Sequence, residues 1–201
     1  MTVRSVIDVR ALTAHASRTD APLWWGMLAA MVIEVAVFSV LIAAYFALRV
    51  PRDPWLSQET APSRLVLPAL SMMVLGAGGL AMHSASLGIQ MGDQSRLRRG
   101  LLHTMALAAL FLALKYVEYS ELPLRWDSNA YGSILWILVG LQSAHVLVLL
   151  ALTIVVSLLA SRGFFSPQRR LGVIINTMYW YSAAAISVVL YVVLQLSPRL
   201  A

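Results

Sequence analysis

The 201-residue sequence contains no cysteine. Structural disulfides, thiolate metal sites, iron–sulfur clusters and c-type haem attachment are thereby excluded within this chain. Charge is scarce as well. Asp, Glu, Lys and Arg make up 12% of the residues, about half the roughly 25% of a soluble domain. Lysine occurs once, as Lys115. The sequence shows no phosphate-binding glycine loop, no nucleophile with a base at a matching spacing and no paired-carboxylate hydrolytic site. It has no low-complexity segment, no internal repeat and no polar stretch long enough for a soluble domain. The missing repeat counts against inverted-repeat transporter architectures.

What is abundant is apolar sequence. Hydrophobic residues form 60% of the chain, and they gather into runs of about twenty or more, which mark membrane spans rather than a globular core. The runs predict an all-α integral membrane fold. A polar tail over residues 1–22 precedes a single membrane domain over 23–201, with spans at about 23–48, 65–88, 100–121, 131–160 and 172–196. The first run follows Arg4, Arg10 and Arg18, as a signal peptide would. It is about twice as long as a signal-peptide core and lacks a small-residue cleavage site, so it reads as an uncleaved span. Asp8 and Asp20 argue against an organellar transit peptide. Pro51 and Pro54 make the first loop non-helical, and Pro68 sits in the first turn of span 2, where a missing N–H costs little. Gly76, Gly78 and Gly79 fall mid-span and predict close helix packing.

The net charge of +6 would point to nucleic acid in a soluble protein. Here the arginines lie between spans and act as topology signals, and no nucleic-acid partner is expected. Arg4, Arg10, Arg18, Arg96, Arg98, Arg99, Arg162, Arg169 and Arg170 fall on one side of a five-span bundle. Arg49, Arg52, Arg64, Arg125 and Arg199 fall on the other. This asymmetry predicts a cytoplasmic N-terminus and a periplasmic C-terminus in a bacterial inner membrane. Trp24, Trp25, Trp55 and Trp126 sit at span ends, as interfacial anchors do.

The polar residues inside the spans are the candidates for function. Glu34 lies roughly 15 Å into span 1 and His145 roughly 21 Å into span 4, which runs the other way. Both therefore fall near mid-depth. A carboxylate there costs roughly 2.5–3.5 kcal/mol on insertion scales, so Glu34 is expected protonated or paired. Two readings stay open, a lipid- or proton-related site and a side chain hydrogen-bonded across helices. Lys115 and Glu118, three apart near the outer end of span 3, share a helix face and can pair, with the lysine stem able to snorkel to water. His145 lies beside a small-residue stripe of Gly132, Gly140 and Ala144 that lets another helix approach. A lone histidine there reads as a packed hydrogen-bonding residue rather than a metal ligand. His83 and His103 lie near the inner face, at the wrong depth to join it. Tyr179, Trp180 and Tyr181 read as a packing or interfacial belt.

The order of these features resembles cytochrome c oxidase subunit III. Trp25-Gly26-Met27, Ile33-Glu34 and Phe38 are similar to that family's first shared helix. His83-Ser84, Glu118-Tyr119, Tyr131-Gly132-Ser133, Gly140, His145-Val146 and Tyr179-Trp180 follow in the family's order. Five spans fit its short members. Where the family has a second histidine before His145, this chain has Gln142, followed by Ser143; the family's histidine and aspartate after Tyr-Trp appear as Tyr181 and Ala184, and a family glutamine appears as Lys115. The resemblance implies a subunit of an oxidoreductase complex with no active site or redox centre of its own. It implies packing on the catalytic subunit I, which holds haem and copper, with subunit II a further partner. It also implies bound phospholipid and support of turnover and proton uptake in aerobic respiration. Glu34, Glu118, Lys115, His83 and His145 are then candidates for the internal, lipid-facing region. The departures motivate a second reading, an accessory protein of nitric oxide reductase. The charges at Glu34, Lys115 and Glu118 motivate a third, a small proton-coupled transporter.

Overall fold

Each apolar run folds as one helix, because a bilayer offers no water to backbone N–H and C=O groups and they must be satisfied within the segment. The computed structural model describes residues 21–49, 66–120, 125–127 and 130–196. The helices are α1 (Pro22–Arg49), α2 (Val66–Gln90), α3 (Gln94–Ser120), α4 (Ala130–Ser161) and α5 (Leu171–Tyr191), with a wider π turn (Val192–Leu196) continuing α5. Among the described residues five helices are long and apolar enough to cross a membrane, so this is a multi-pass helical membrane protein. The tail with Arg4, Arg10 and Arg18, the first loop with Arg52, Trp55 and Arg64, and Glu121 and Arg199 lie outside the described residues.

Helix bounds agree with the hydropathy reading within about two residues except at α3. That helix starts at Gln94, not near 100, so Arg96, Arg98 and Arg99 belong to its first turns rather than to a loop. The cause is local. Gly92 adopts a positive φ of 76° and the Asp93 N–H donates back to the Gly88 carbonyl at 2.9 Å, which closes α2 within one turn. Asp93 Oδ1 then accepts the Arg96 N–H at 2.9 Å, capping the start of α3. The α4–α5 connection uses the same device at Gly163, with φ 71°. The two connections meet at one end of the bundle, where Gln94 Nε2 donates to the Phe165 carbonyl at 2.9 Å and Arg98 Nη2 to the Ser161 carbonyl at 3.5 Å.

Packing is uneven. The α2–α3 pair has the most extensive contact, because glycine removes the side chains that would hold the helices apart. A Cβ added at Gly100 would lie 2.7–2.9 Å from Ala85, and one at Gly88 2.8 Å from the Leu97 nitrogen. At Gly78 an added Cβ would lie 2.6 Å from the Trp180 ring. That glycine packs as expected, whereas Gly76 has nothing within 4 Å. A core of Leu75, Met82, Leu101, Phe111, Leu149 and Trp180 joins α2 to α5. A second, with Phe38, Tyr45, Leu138 and Leu190, joins α1 to α4 and α5. Trp180 is fully buried, not part of an interfacial belt. Its Nε1 donates to Thr153 Oγ1 at 3.1 Å, which also accepts from Asn176 Nδ2 at 3.1 Å and donates to the Leu149 carbonyl at 2.8 Å. This polar knot satisfies an indole N–H that no water can reach.

Gly100→Ala should lower stability by about 1–3 kcal/mol through overpacking, read as a lower midpoint of thermal unfolding in detergent. Gly76→Ala should leave the midpoint unchanged or raise it, since the site is open and alanine is the better helix former. Equal responses at both positions would contradict the α2–α3 packing described above.

Candidate functional site

Most of α1 faces outward. Among its covered residues, Glu34, Phe38, Leu41, Ile42 and Tyr45 recur at helical spacing and form a stripe toward α4 and α5. Glu34 lies twelve residues into α1, about 18 Å from its start, and His145 fifteen residues into α4, about 22 Å. Opposite helix directions bring them to one level, and the side chains meet: Glu34 Oε1 contacts His145 Nδ1 directly. The other carboxylate oxygen accepts from the Ser182 hydroxyl at 3.2 Å. The Tyr179 ring stacks on the imidazole, with centroids 4.7 Å apart and planes at 24°. Tyr179 and Ser182 are three apart on α5, so both face the pair.

This arrangement resolves the cost of Glu34. Carboxylate with imidazolium, or carboxylic acid with neutral imidazole, holds the same protons and carries no net charge, as a low-dielectric interior requires. The two groups can exchange a proton between Oε1 and Nδ1 without moving a heavy atom. His145 Nε2 is buried and has no hydrogen-bond partner. Among the described residues no three His, Cys, Asp or Glu side chains converge.

The pair opens onto a cleft of about 450 Å³ between α1 and α4, walled by Ala30, Ile33, Val37, Leu141, Ala144 and Val148. Its size suits an apolar ligand, and its walls match hydrocarbon. Ala144 of the expected small-residue stripe is exposed there, so at that position the stripe borders the cleft instead of receiving a helix. At Gly140 an added Cβ would lie 3.4 Å from the Tyr119 hydroxyl, a side-chain neighbour. Gly132 is buried.

Lys115 and Glu118 form a separate cluster. Lys115 Nζ and Glu118 Oε2 pair at 2.8 Å with side chains 7% and 12% exposed. The lysine is therefore folded into the bundle rather than snorkelling to water. The pair lines a space of about 20 Å³ together with Gln142, Ser187 and Gln195, roughly the room of one water molecule. Lys115 and Gln142 thus border the same polar space. His83 is elsewhere, exposed, with Nδ1 sharing a hydrogen bond of 2.6 Å with the Tyr181 hydroxyl. Ser182, Gln195, Gly88 and Gly100 were not singled out by sequence. A serine or glutamine in an apolar helix gives no sign of the face it takes, and the two glycines lie at the predicted span ends.

A double-mutant cycle tests the pair. Glu34→Leu and His145→Leu should each cost about 3–5 kcal/mol by stranding a buried partner, and the double variant should cost clearly less than their sum, in thermal unfolding. Glu34→Gln should assemble nearly normally, since an amide keeps the hydrogen bonds, while Glu34→Lys should fail to accumulate in the membrane. Normal accumulation of the lysine variant would mean that Glu34 faces water.

A family model described as cytochrome c oxidase subunit III matches residues 3–197. The chain is 28% identical over 175 residues to cytochrome c oxidase subunit 3 of a Synechocystis species, covering 86% of this chain and 74% of that one. It is 25% identical to the protein of the same name from Thermostichus vulcanus, covering 87% of each. It also resembles the haem–copper oxidase subunit I+III of Aeropyrum pernix, 28% identical over 156 residues, which are 73% of this chain and 19% of that much longer one. With nearly its whole length matched, the chain belongs to the cytochrome c oxidase subunit III family.

Proposed function

We propose that the chain is a non-catalytic subunit III of a haem–copper terminal oxidase, embedded in the bacterial inner membrane and serving aerobic electron transport. The observation that carries this reading is the continuous family match over residues 3–197. Its partner is the catalytic subunit I, where haem and copper reside, with subunit II nearby. The name of the Aeropyrum pernix relative, which joins I and III, supports that partnership. The arginine asymmetry supports a cytoplasmic N-terminus. In keeping with it, Arg96, Arg98 and Arg99 lie at the same end of the bundle as Arg162, Arg169 and Arg170, where the α2–α3 and α4–α5 connections touch.

Within such a complex the α1–α4 cleft holds phospholipid acyl chains, which exclude water from the Glu34–His145 pair. The pair then stores or passes a proton at mid-depth and so supports proton uptake by the neighbour. The chain supplies position, a dry wall and a proton-holding couple; oxygen chemistry belongs to the partner.

Mild solubilisation and capture of this chain should bring down a haem-containing polypeptide with an oxidase spectrum. Removing the chain should leave the initial oxygen-uptake rate of the complex and reduce the number of turnovers before inactivation; His145→Leu should reproduce part of that loss. Capture without any haem-containing polypeptide would end the subunit reading. Capture of a nitric oxide-reducing chain would assign the accessory role instead.

A further inference from the structure

The end of the bundle where α2 meets α3 carries a cavity unlike the Glu34 cleft. It measures about 270 Å³ and is lined by Ala81 and Ser84 of α2 and by Arg96, Arg99, Gly100 and His103 of α3. Positions 96, 99, 100 and 103 fall on one helix face. Ala81 and Gly100 are small, which leaves the volume open. Arg96 Nε donates to Ser84 Oγ at 3.4 Å, and Arg99 Nε to the Ser95 carbonyl at 3.4 Å. Both contacts use the inner nitrogen and leave the terminal nitrogens available for another acceptor. Among the described residues the ion pairs are Lys115–Glu118, Arg125–Asp127 and His145–Glu34, so neither guanidinium is matched by a carboxylate. The nearest acid in sequence, Asp93, accepts the Arg96 backbone N–H. Two like charges one turn apart repel, and an anion shared between them removes that repulsion while accepting forked N–H donors.

An inorganic anion would need only this cationic end. The surface around it favours a lipid. From Ser84 the same face of α2 continues through Leu80, Ala77 and Met73, and from His103 the same face of α3 continues through Ala106 and Leu110. These residues are apolar and exposed, Leu80 to 72% and Met73 to 59%. Leu80 lies about 6 Å and Met73 about 16 Å beyond Ser84 along the helix, which matches half of a hydrocarbon core of about 30 Å. Arg96, Arg99 and His103 lie in the first turns of a spanning helix, at headgroup level.

We propose that the Arg96–Arg99–His103–Ser84 cavity binds the phosphodiester of an anionic phospholipid, with its acyl chains along the α2–α3 track. The site is distinct from the Glu34 cleft, which offers no unpaired cation.

The test uses the purified full-length chain in detergent, stripped of lipid. It is mixed with dioleoyl phosphatidylglycerol or dioleoyl phosphatidylcholine and examined by native mass spectrometry. Phosphatidylglycerol should be retained roughly tenfold over phosphatidylcholine, and the preference should shrink as salt rises. Arg96→Gln with Arg99→Gln should abolish the preference at unchanged helicity, while Arg162→Gln, near the same end, should preserve it. Millimolar inorganic phosphate should not displace the lipid. Equal retention of the two lipids, a preference indifferent to salt, a preference surviving the double substitution, or displacement by phosphate would each overturn the proposal. If the double variant does not fold, the single Arg96→Gln and Arg99→Gln variants take its place, each expected to weaken the preference where Arg162→Gln does not.

Discussion

A carboxylate in the middle of a bilayer must be neutralised, and much of the architecture follows from how Glu34 meets that demand. Its partner has to come from another helix at the same depth, and His145 does so because α1 and α4 run in opposite directions. Ser182 and Tyr179 of α5 complete the enclosure. Three helices are thereby fixed in height and rotation by one small polar cluster. Apolar packing alone would specify this less sharply, since lipid tails compete with leucine on equal terms.

The same demand is met differently elsewhere. Lys115 and Glu118 neutralise each other on one helix and need no partner to do so. Thr153 gathers the buried polar groups of Trp180 and Asn176 without any charge. Arg96 and Arg99, like the other arginines at that end of the bundle, have no carboxylate partner among the described residues. The charges at mid-span are paired within the protein, and the unmatched arginines gather at one end of the bundle.

The five spans were legible because twenty apolar residues in a row have little alternative to a membrane helix. Depth was legible too, since rise per residue is fixed, and it placed Glu34 and His145 at one level. Their contact was not, because sequence does not give the rotation of α1 about its axis, and apart from Glu34, Ser39 and the terminal Arg49 that helix is apolar on all sides. The Lys115–Glu118 pair followed from spacing alone, whereas Gln142 and Gln195 reach the same space only through the packing of α4 and α5. The start of α3 was misplaced because Gln94–Arg99 is polar; its helicity comes from the Asp93 cap and the Gly92 turn, not from hydropathy. Among the glycines, Gly78 was read correctly, while Gly88 and Gly100, which bring α2 and α3 closest, lay where spans were expected to end.

The core that joins α2 to α5 contains no residue of α1. The first helix instead leans on a smaller cluster and on the Glu34 contact, with most of its surface turned outward. The described helices therefore form a four-helix core with α1 laid against its α4–α5 side. Because Phe38 both packs in the smaller cluster and lines the α1–α4 cleft, a substitution there reshapes the cleft without touching a residue of the larger core.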